Sequence, residues 1–219
     1  MAVKRAKKRK KQHPFDYLGL GILLALICII SASALSFTYS MTLKRIEEQK
    51  IKKLMESLPQ VLPHASHFSG ENHLNELLYY VGYNEQKTAG YALCGSVQGY
   101  QSVIKFIVGV NIDGMITGLQ ILEHAETPGL GARITELKND RTLRGAISAI
   151  IRNQTSPENK LPEPWFTALF KQKHYDTLAL GVEGEHIAAI TGATITSSAV
   201  VEGVKSDVKK FFEEIQVKP

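Results

Sequence analysis

Residues 17–43 carry no charged side chain, and 18–36 are dominated by Leu, Ile, Ala and Gly. At about 1.5 Å of rise per residue, some 20 such residues cross the roughly 30 Å hydrocarbon layer of a bilayer. The stretch predicts a transmembrane helix over 17–40. Lys4, Arg5, Lys7, Lys8, Arg9, Lys10 and Lys11 precede it, whereas Lys44, Arg45, Glu47 and Glu48 on the far side mix both signs. By the positive-inside asymmetry, 1–16 form a basic cytoplasmic tail and everything beyond the helix lies outside. A cleaved signal peptide is the competing reading, but the apolar run is long for one and ends without a small-residue cleavage pattern. The seven cations supply +7 in a chain whose formal net charge is +5, so the residues after 11 carry −2. That balance speaks against a basic nucleic-acid-binding domain.

Past the span, a charged helix continues to about residue 58 with Leu43, Ile46, Ile51, Leu54 and Leu58 along one side, and Pro59 and Pro63 are expected to break it. Residues 41–62 read as a helical stalk and 63–219 as one extracytoplasmic domain. Within that domain 90–97 and 101–111 read as strands, Asp113-Gly114 as a hairpin turn, and 115–122 as the returning strand. Strands and helices do not alternate, so the fold class is α+β, an antiparallel sheet with flanking helices. A helix is expected around Leu143, Ile147, Ile150 and Ile151, then a polar loop to Pro164, and then a short helix whose Trp165, Phe166, Leu169 and Phe170 form an apolar edge that packs on the core, an aromatic box around a cofactor being the alternative. Cys28 falls in the apolar span and Cys94 reads as a small apolar residue, which leaves no structural disulfide. His64 and His67 have no third ligand nearby and read as a solvated loop.

Two loops carry the candidate chemistry. Ile187, Ala188, Ala189 and Ile190 suit a buried central strand, and Val200, Val201, Val204, Val208, Phe211, Phe212 and Ile215 recur as one face of a helix. Between them stands Thr191-Gly192-Ala193-Thr194-Ile195-Thr196-Ser197, so the hydroxyls cluster where a strand hands over to a helix start. Thr196, Ser197 and Ser198 are candidate N-caps, and the open amides of such an end favour an anion. Gly192 and Ala193 keep bulk away. This is either a phosphate site or an ordinary capped helix after a tight turn. The second loop is His124-Ala125-Glu126-Thr127-Pro128-Gly129-Leu130-Gly131-Ala132-Arg133. Its glycines permit unusual dihedrals and uncovered amides against which a flat ligand can lie, with Glu126 and Thr127 as polar contacts. A Pro-Gly turn that merely reverses the chain is the alternative.

Taken together, Glu126-Thr127-Pro128-Gly129-Leu130-Gly131 followed by Thr191-Gly192-Ala193-Thr194 resembles the FMN-binding domain shared by the G subunit of the Rnf electron-transport complex and the C subunit of sodium-translocating NADH:quinone reductase. The single N-terminal anchor, the Asp113-Gly114 hairpin and the Trp165-Phe166 helix agree with it. The resemblance runs over roughly residues 40 to 215, and chain length favours the Rnf G subunit. It implies FMN held covalently on Thr194 as a phosphoester that a flavin transferase installs from FAD. Gly192 and Ala193 would leave room for the phosphate, Thr191 and Thr196 would flank it, and Glu126, Thr127, Gly129, Leu130 and Gly131 would border the isoalloxazine ring. Attachment through phosphate leaves the ring free to pass electrons, chemistry that belongs to the cofactor. The implied setting is a single-pass subunit of the inner membrane with a periplasmic main domain, working beside other integral-membrane and redox subunits and binding no nucleic acid. In the family an Asp usually precedes the flavin-bearing Thr by six positions; Ala188 stands there, with Glu185 as a shifted substitute. The segment between Arg133 and Trp165 is also longer than in close relatives.

The leading functional expectation is a redox subunit of an ion-translocating oxidoreductase, without catalytic residues or a metal of its own. The chain has neither a Gly-x-Gly-x-x-Gly dinucleotide fingerprint nor a cysteine cluster for iron and sulfur. Oxidising NADH alone or pumping ions alone is therefore not expected. A stand-alone anchored flavin carrier and a flavin-free anchored scaffold are the alternatives.

Overall fold

A computed structural model describes residues 14–75, 77–85, 87–137, 163–181 and 187–217. The basic tail up to residue 13, the helix expected around Leu143 to Ile151, most of the polar loop after it, and Glu185 lie outside the described residues. The chain divides into two units, 1–50 and 51–219.

In the first unit, helix α1 (Pro14–Val61) begins, and its side chains from Leu18 to Lys50 are exposed. This helix is long and apolar enough to cross a membrane. Two of its hydroxyls close onto their own helix, Thr38 Oγ1 donating to Ala34 O at 2.9 Å and Thr42 Oγ1 to Thr38 O at 3.0 Å. Neither leaves a bare polar group in an apolar surface.

In the second unit the last turns of α1 belong to a folded body. The helix passes through Pro59 and ends at Val61, and Leu62 N donates to Leu58 O at 3.0 Å to complete the turn. The break expected at Pro59 is thus displaced. Proline forfeits one amide donor, but burial of Leu58, Val61 and Leu62 holds the turn in place. These residues form a small core with Tyr80, Ala92 and Ile107 on the outer face of the sheet.

The sheet comprises β1 (His67–Phe68), β2 (Asn72–Leu74), β3 (Leu77–Asn84), β4 (Lys87–Gln98), β5 (Val103–Val110) and β6 (Ile116–Glu123). The order is β1-β3-β4-β5-β6 with β2 also on β3, antiparallel throughout. The expected meander is borne out in β4 to β6, with Asn111 Oδ1 accepting from Asp113 N and Met115 N and Gly114 at φ +82° in the hairpin turn. Strand β3 is additional.

On the inner face, Leu93, Val108 and Leu119 lie in register and form one core with Val200, Val201, Val204, Val208 and Phe211 of a long C-terminal helix. Short helix α2 (Trp165–Ala168) buries Phe166, and Phe170 just beyond it enters the same core. The run at 187–190 is not a central strand. Only Ile187–Ala188 (β8) is extended, paired in parallel with Leu180–Gly181 (β7) in a separate two-stranded sheet. Ile187 and Ile190 point into the core while Ala188 and Ala189 are exposed, so the apolar run packs one side only. The C-terminal helix, α3, spans Thr194–Val217.

Candidate functional site

Ile190, Thr191, Gly192 and Ala193 make a tight turn closed by Ala193 N donating to Ile190 O at 2.9 Å. Gly192 takes φ +79°, which suits glycine at the third position of a turn. Helix α3 then starts at Thr194, so the hydroxyls expected to cap it lie inside its first turns instead. Ser197 Oγ accepts from Ile190 N at 3.1 Å and donates to Ala193 O at 3.0 Å, stitching turn to helix. Thr196 Oγ1 donates to Glu126 Oε2 at 2.8 Å. Ser198 Oγ donates to Glu202 on the surface. Caps need a residue outside the helix, and all three lie within it.

Thr196 and Ser197 are buried, while Thr191 and Thr194 are exposed. The Thr194 hydroxyl has no hydrogen-bond partner among the described residues. Thr194, Ile195 and Thr196 supply the opening amides of α3, which have no preceding helical turn to donate to. The positive end of a 24-residue helix therefore lies beside an open hydroxyl.

A cleft of about 450 Å³ opens at this point, lined by Tyr100, Glu126, Thr127, Leu130, Gly131, Gly192, Ala193, Thr194, Ile195 and Thr196. Eight of the residues expected from sequence come together in it. Thr191 and Gly129 do not line it: Thr191 sits in the exposed turn, and Gly129 serves the Pro-Gly loop through its φ of +78°. Sequence reasoning missed Tyr100 and Ile195. The signal for Tyr100 was its place next to Gly99 in a tight turn after β4, where Gly99 N donates to Ser102 O at 2.8 Å. Ile195 was visible as an apolar residue out of phase with the buried stripe of α3. Tyr100, Leu130 and Ile195 are exposed by 71%, 46% and 60%, and they give the cleft apolar walls.

Glu126 is buried and its oxygens are taken. Oε1 accepts from Gln101 N at 3.0 Å, Ser102 N at 2.9 Å and Ser102 Oγ at 3.0 Å, and Oε2 accepts from Thr196 Oγ1. Burial pulls its carboxyl upward, but donation from Ser102, Thr196 and Gln101 outweighs that and holds it below the ordinary glutamate range. Thr127 Oγ1 donates to Gln101 Oε1 at 2.6 Å, and its carbonyl accepts from Leu130 N and Ala132 N. Ala188 is exposed on β8 opposite Gly181.

The FMN-binding domain family matches residues 99–209, and the RnfG N-terminal region matches 18–61. The G subunit of the ion-translocating oxidoreductase complex of Aliivibrio fischeri is 30% identical over 90% of this chain and 93% of its own. The G subunit of the Na(+)-translocating ferredoxin:NAD(+) oxidoreductase complex of Acetobacterium woodii is 29% identical over 88% and 90%. NqrC of Shewanella oneidensis superposes with a TM-score of 0.45 at 17% identity, covering 71% of this chain and 73% of that one. The matched domain opens at Gly99, beside the cleft's Tyr100, and runs through both loops into α3; the chain belongs to the FMN-binding domain family and carries an RnfG N-terminal region ahead of that domain.

Proposed function

We propose that this chain is a membrane-anchored G-type subunit of an Rnf ion-translocating oxidoreductase complex, with FMN esterified through its phosphate to Thr194 Oγ1. The observation that carries the reading is the sorting of hydroxyls at the start of α3. Thr196 and Ser197 are buried and engaged, whereas Thr194 is exposed, unengaged and on the cleft wall. The cleft volume falls in the ~300–1,000 Å³ range usual for small-molecule sites. Its apolar walls suit a flat aromatic group, and the helix start suits a phosphate. Bound FMN supplies the redox chemistry. The chain's own residues would hold the phosphate at Thr194 and offer the ring the apolar walls of Leu130, Ile195 and Tyr100, while Gly192 and Ala193 would keep bulk away from the ester. The basic tail and apolar helix support an inner-membrane anchor with the domain outside, next to the integral-membrane and redox subunits that such a complex implies.

The test is the intact mass and in-gel fluorescence of the chain made together with a flavin transferase. The expected result is one added FMN phosphoryl unit, lost completely in Thr194→Val and kept in Thr191→Val. Ala188→Asp restores the carboxylate usual in relatives and is expected to speed loading. A wild-type chain weighing only its amino acids under these conditions would favour the scaffold reading instead.

A further inference from the structure

Glu126 accepts from four donors of its own chain. Three converge on Oε1 from the turn after β4, and Thr196 donates to Oε2 from the first turn of α3. Ser102 Oγ, besides donating to the carboxylate, accepts from Ala125 N at 2.9 Å and so doubles the tie. The neighbouring glycines are shaped to this carboxylate. A Cβ on Gly99 would stand 2.7 Å from Oε1, and one on Gly131 would strike Oε2 and stand 2.9 Å from Thr196 Oγ1. Each apolar wall of the cleft is also one residue from a latched or fitted group: Tyr100 beside Gln101, Leu130 beside Gly131, and Ile195 beside Thr196.

We infer that Glu126 is a positioning residue: its carboxylate latches the Gly99–Ser102 turn and the Pro-Gly loop to the first turn of α3. It thereby fixes the spacing of the walls around Thr194, and its charge makes no direct contact with the bound group. A carboxylate suits this task because both oxygens only accept. A glutamine would turn an amide donor toward Thr196, whose hydroxyl would have to reverse. The flavin readout below rests on the FMN reading above; the exchange readout does not.

The experiment is a double-mutant cycle on the full chain with Glu126→Gln, Thr196→Val and both together. First, hydrogen exchange is measured at the Gln101 and Ser102 amides in a Thr194→Val background that carries no flavin. Loss of the latch is expected to speed exchange about tenfold or more in Glu126→Gln, as for a lost hydrogen bond to a charged group. In Thr196→Val it is expected to speed exchange severalfold, although residue 196 touches neither amide, and Thr196→Ser should restore protection. Unchanged exchange in Thr196→Val overturns the latch. Second, the reduction potential and visible spectrum of the loaded chain are recorded. A latch moves both in the same direction in either single variant, and the double variant moves no further than the larger single. A shift in Glu126→Gln with none in Thr196→Val, or shifts that add, overturns the proposal in favour of a direct charge on the ring. Absence of flavin from the wild-type chain, with the exchange results as expected, would fell the FMN reading and leave the latch standing.

Discussion

Among the residues of the cleft, Glu126 also makes the sharpest claim about acid stability. Its folded carboxyl titrates below the ordinary value of 4.5, because the hydrogen bonds from Ser102, Thr196 and Gln101 outweigh the upward pull of burial. A depressed folded value contributes stability above the unfolded value and loses it as pH falls through the folded one. The expected outcome is that Glu126→Gln is less stable than wild type by about 1.5–3 kcal/mol at neutral pH. The gap should narrow on acidification below pH 4.5, and denaturant unfolding across pH checks it. A gap that stays constant would mean that the carboxylate is not the group responsible. The identity of this residue was legible in the sequence but its role was not. Glu-Thr-Pro-Gly-Leu-Gly reads as a ligand-facing loop, and only the fold brings residue 126 against Ser102 and Thr196, 24 and 70 positions away. The turn at Gly192 and the entry into an amphipathic helix were legible because their signals are local, a glycine and the apolar periodicity that follows it, whereas the choice of Thr194 among the hydroxyls there came from the family resemblance and belongs to the proposal.

At the level of elements, the sheet is covered on both faces, and the outer cover is the end of α1. Tyr80, Ala92, Gly109 and Gly118 lie in one cross-strand row, and the two glycines open a slot in it. A Cβ on Gly118 would stand 2.8 Å from Val61 Cα, and one on Gly109 would strike the Val61 carbonyl. Thr117 Oγ1 donates to that same carbonyl, and Lys53 Nζ donates to Leu122 O. Leu54, Leu58, Val61 and Leu62 follow helical spacing, so this face was present in the sequence and hidden only by the weight given to Pro59. Strand β3 was missed for a different reason. Leu77 to Asn84 is rich in aromatic and branched residues, but its link to β4 lacks an Asp-Gly turn of the kind that announced β6. Leu58→Ala is expected to destabilise the domain by about 2–5 kcal/mol, the usual cost of emptying a buried leucine site. Ile51→Ala, on the same helix but 59% exposed, should stay within about 0.5 kcal/mol. Thermal unfolding of the two variants compares them directly. Equal effects would mean that the end of α1 is a tether and not part of the core.

For the molecule as a whole, the proposal that the flavin-bearing domain lies outside the cytoplasm has a test that the chain's own cysteines leave clear. Cys28 sits in the apolar span. Burial, with Glu71 nearby, pushes the Cys94 thiol up to about 12, which leaves it roughly a thousandfold less of the reactive thiolate at neutral pH than an ordinary cysteine has. A cysteine placed at exposed Ser206 on α3 is therefore the one site expected to react quickly with a membrane-impermeant maleimide. Labelling of Ser206→Cys in intact cells is the expected outcome, with little further gain on lysis. The orientation is attributed to the seven cations ahead of the span, so replacing Lys4, Arg5, Lys7, Lys8, Arg9, Lys10 and Lys11 with Gln should lower the fraction labelled before lysis. Labelling that requires lysis in the wild-type background would put the domain on the cytoplasmic side. It would leave the geometry around Thr194 intact and overturn the topology.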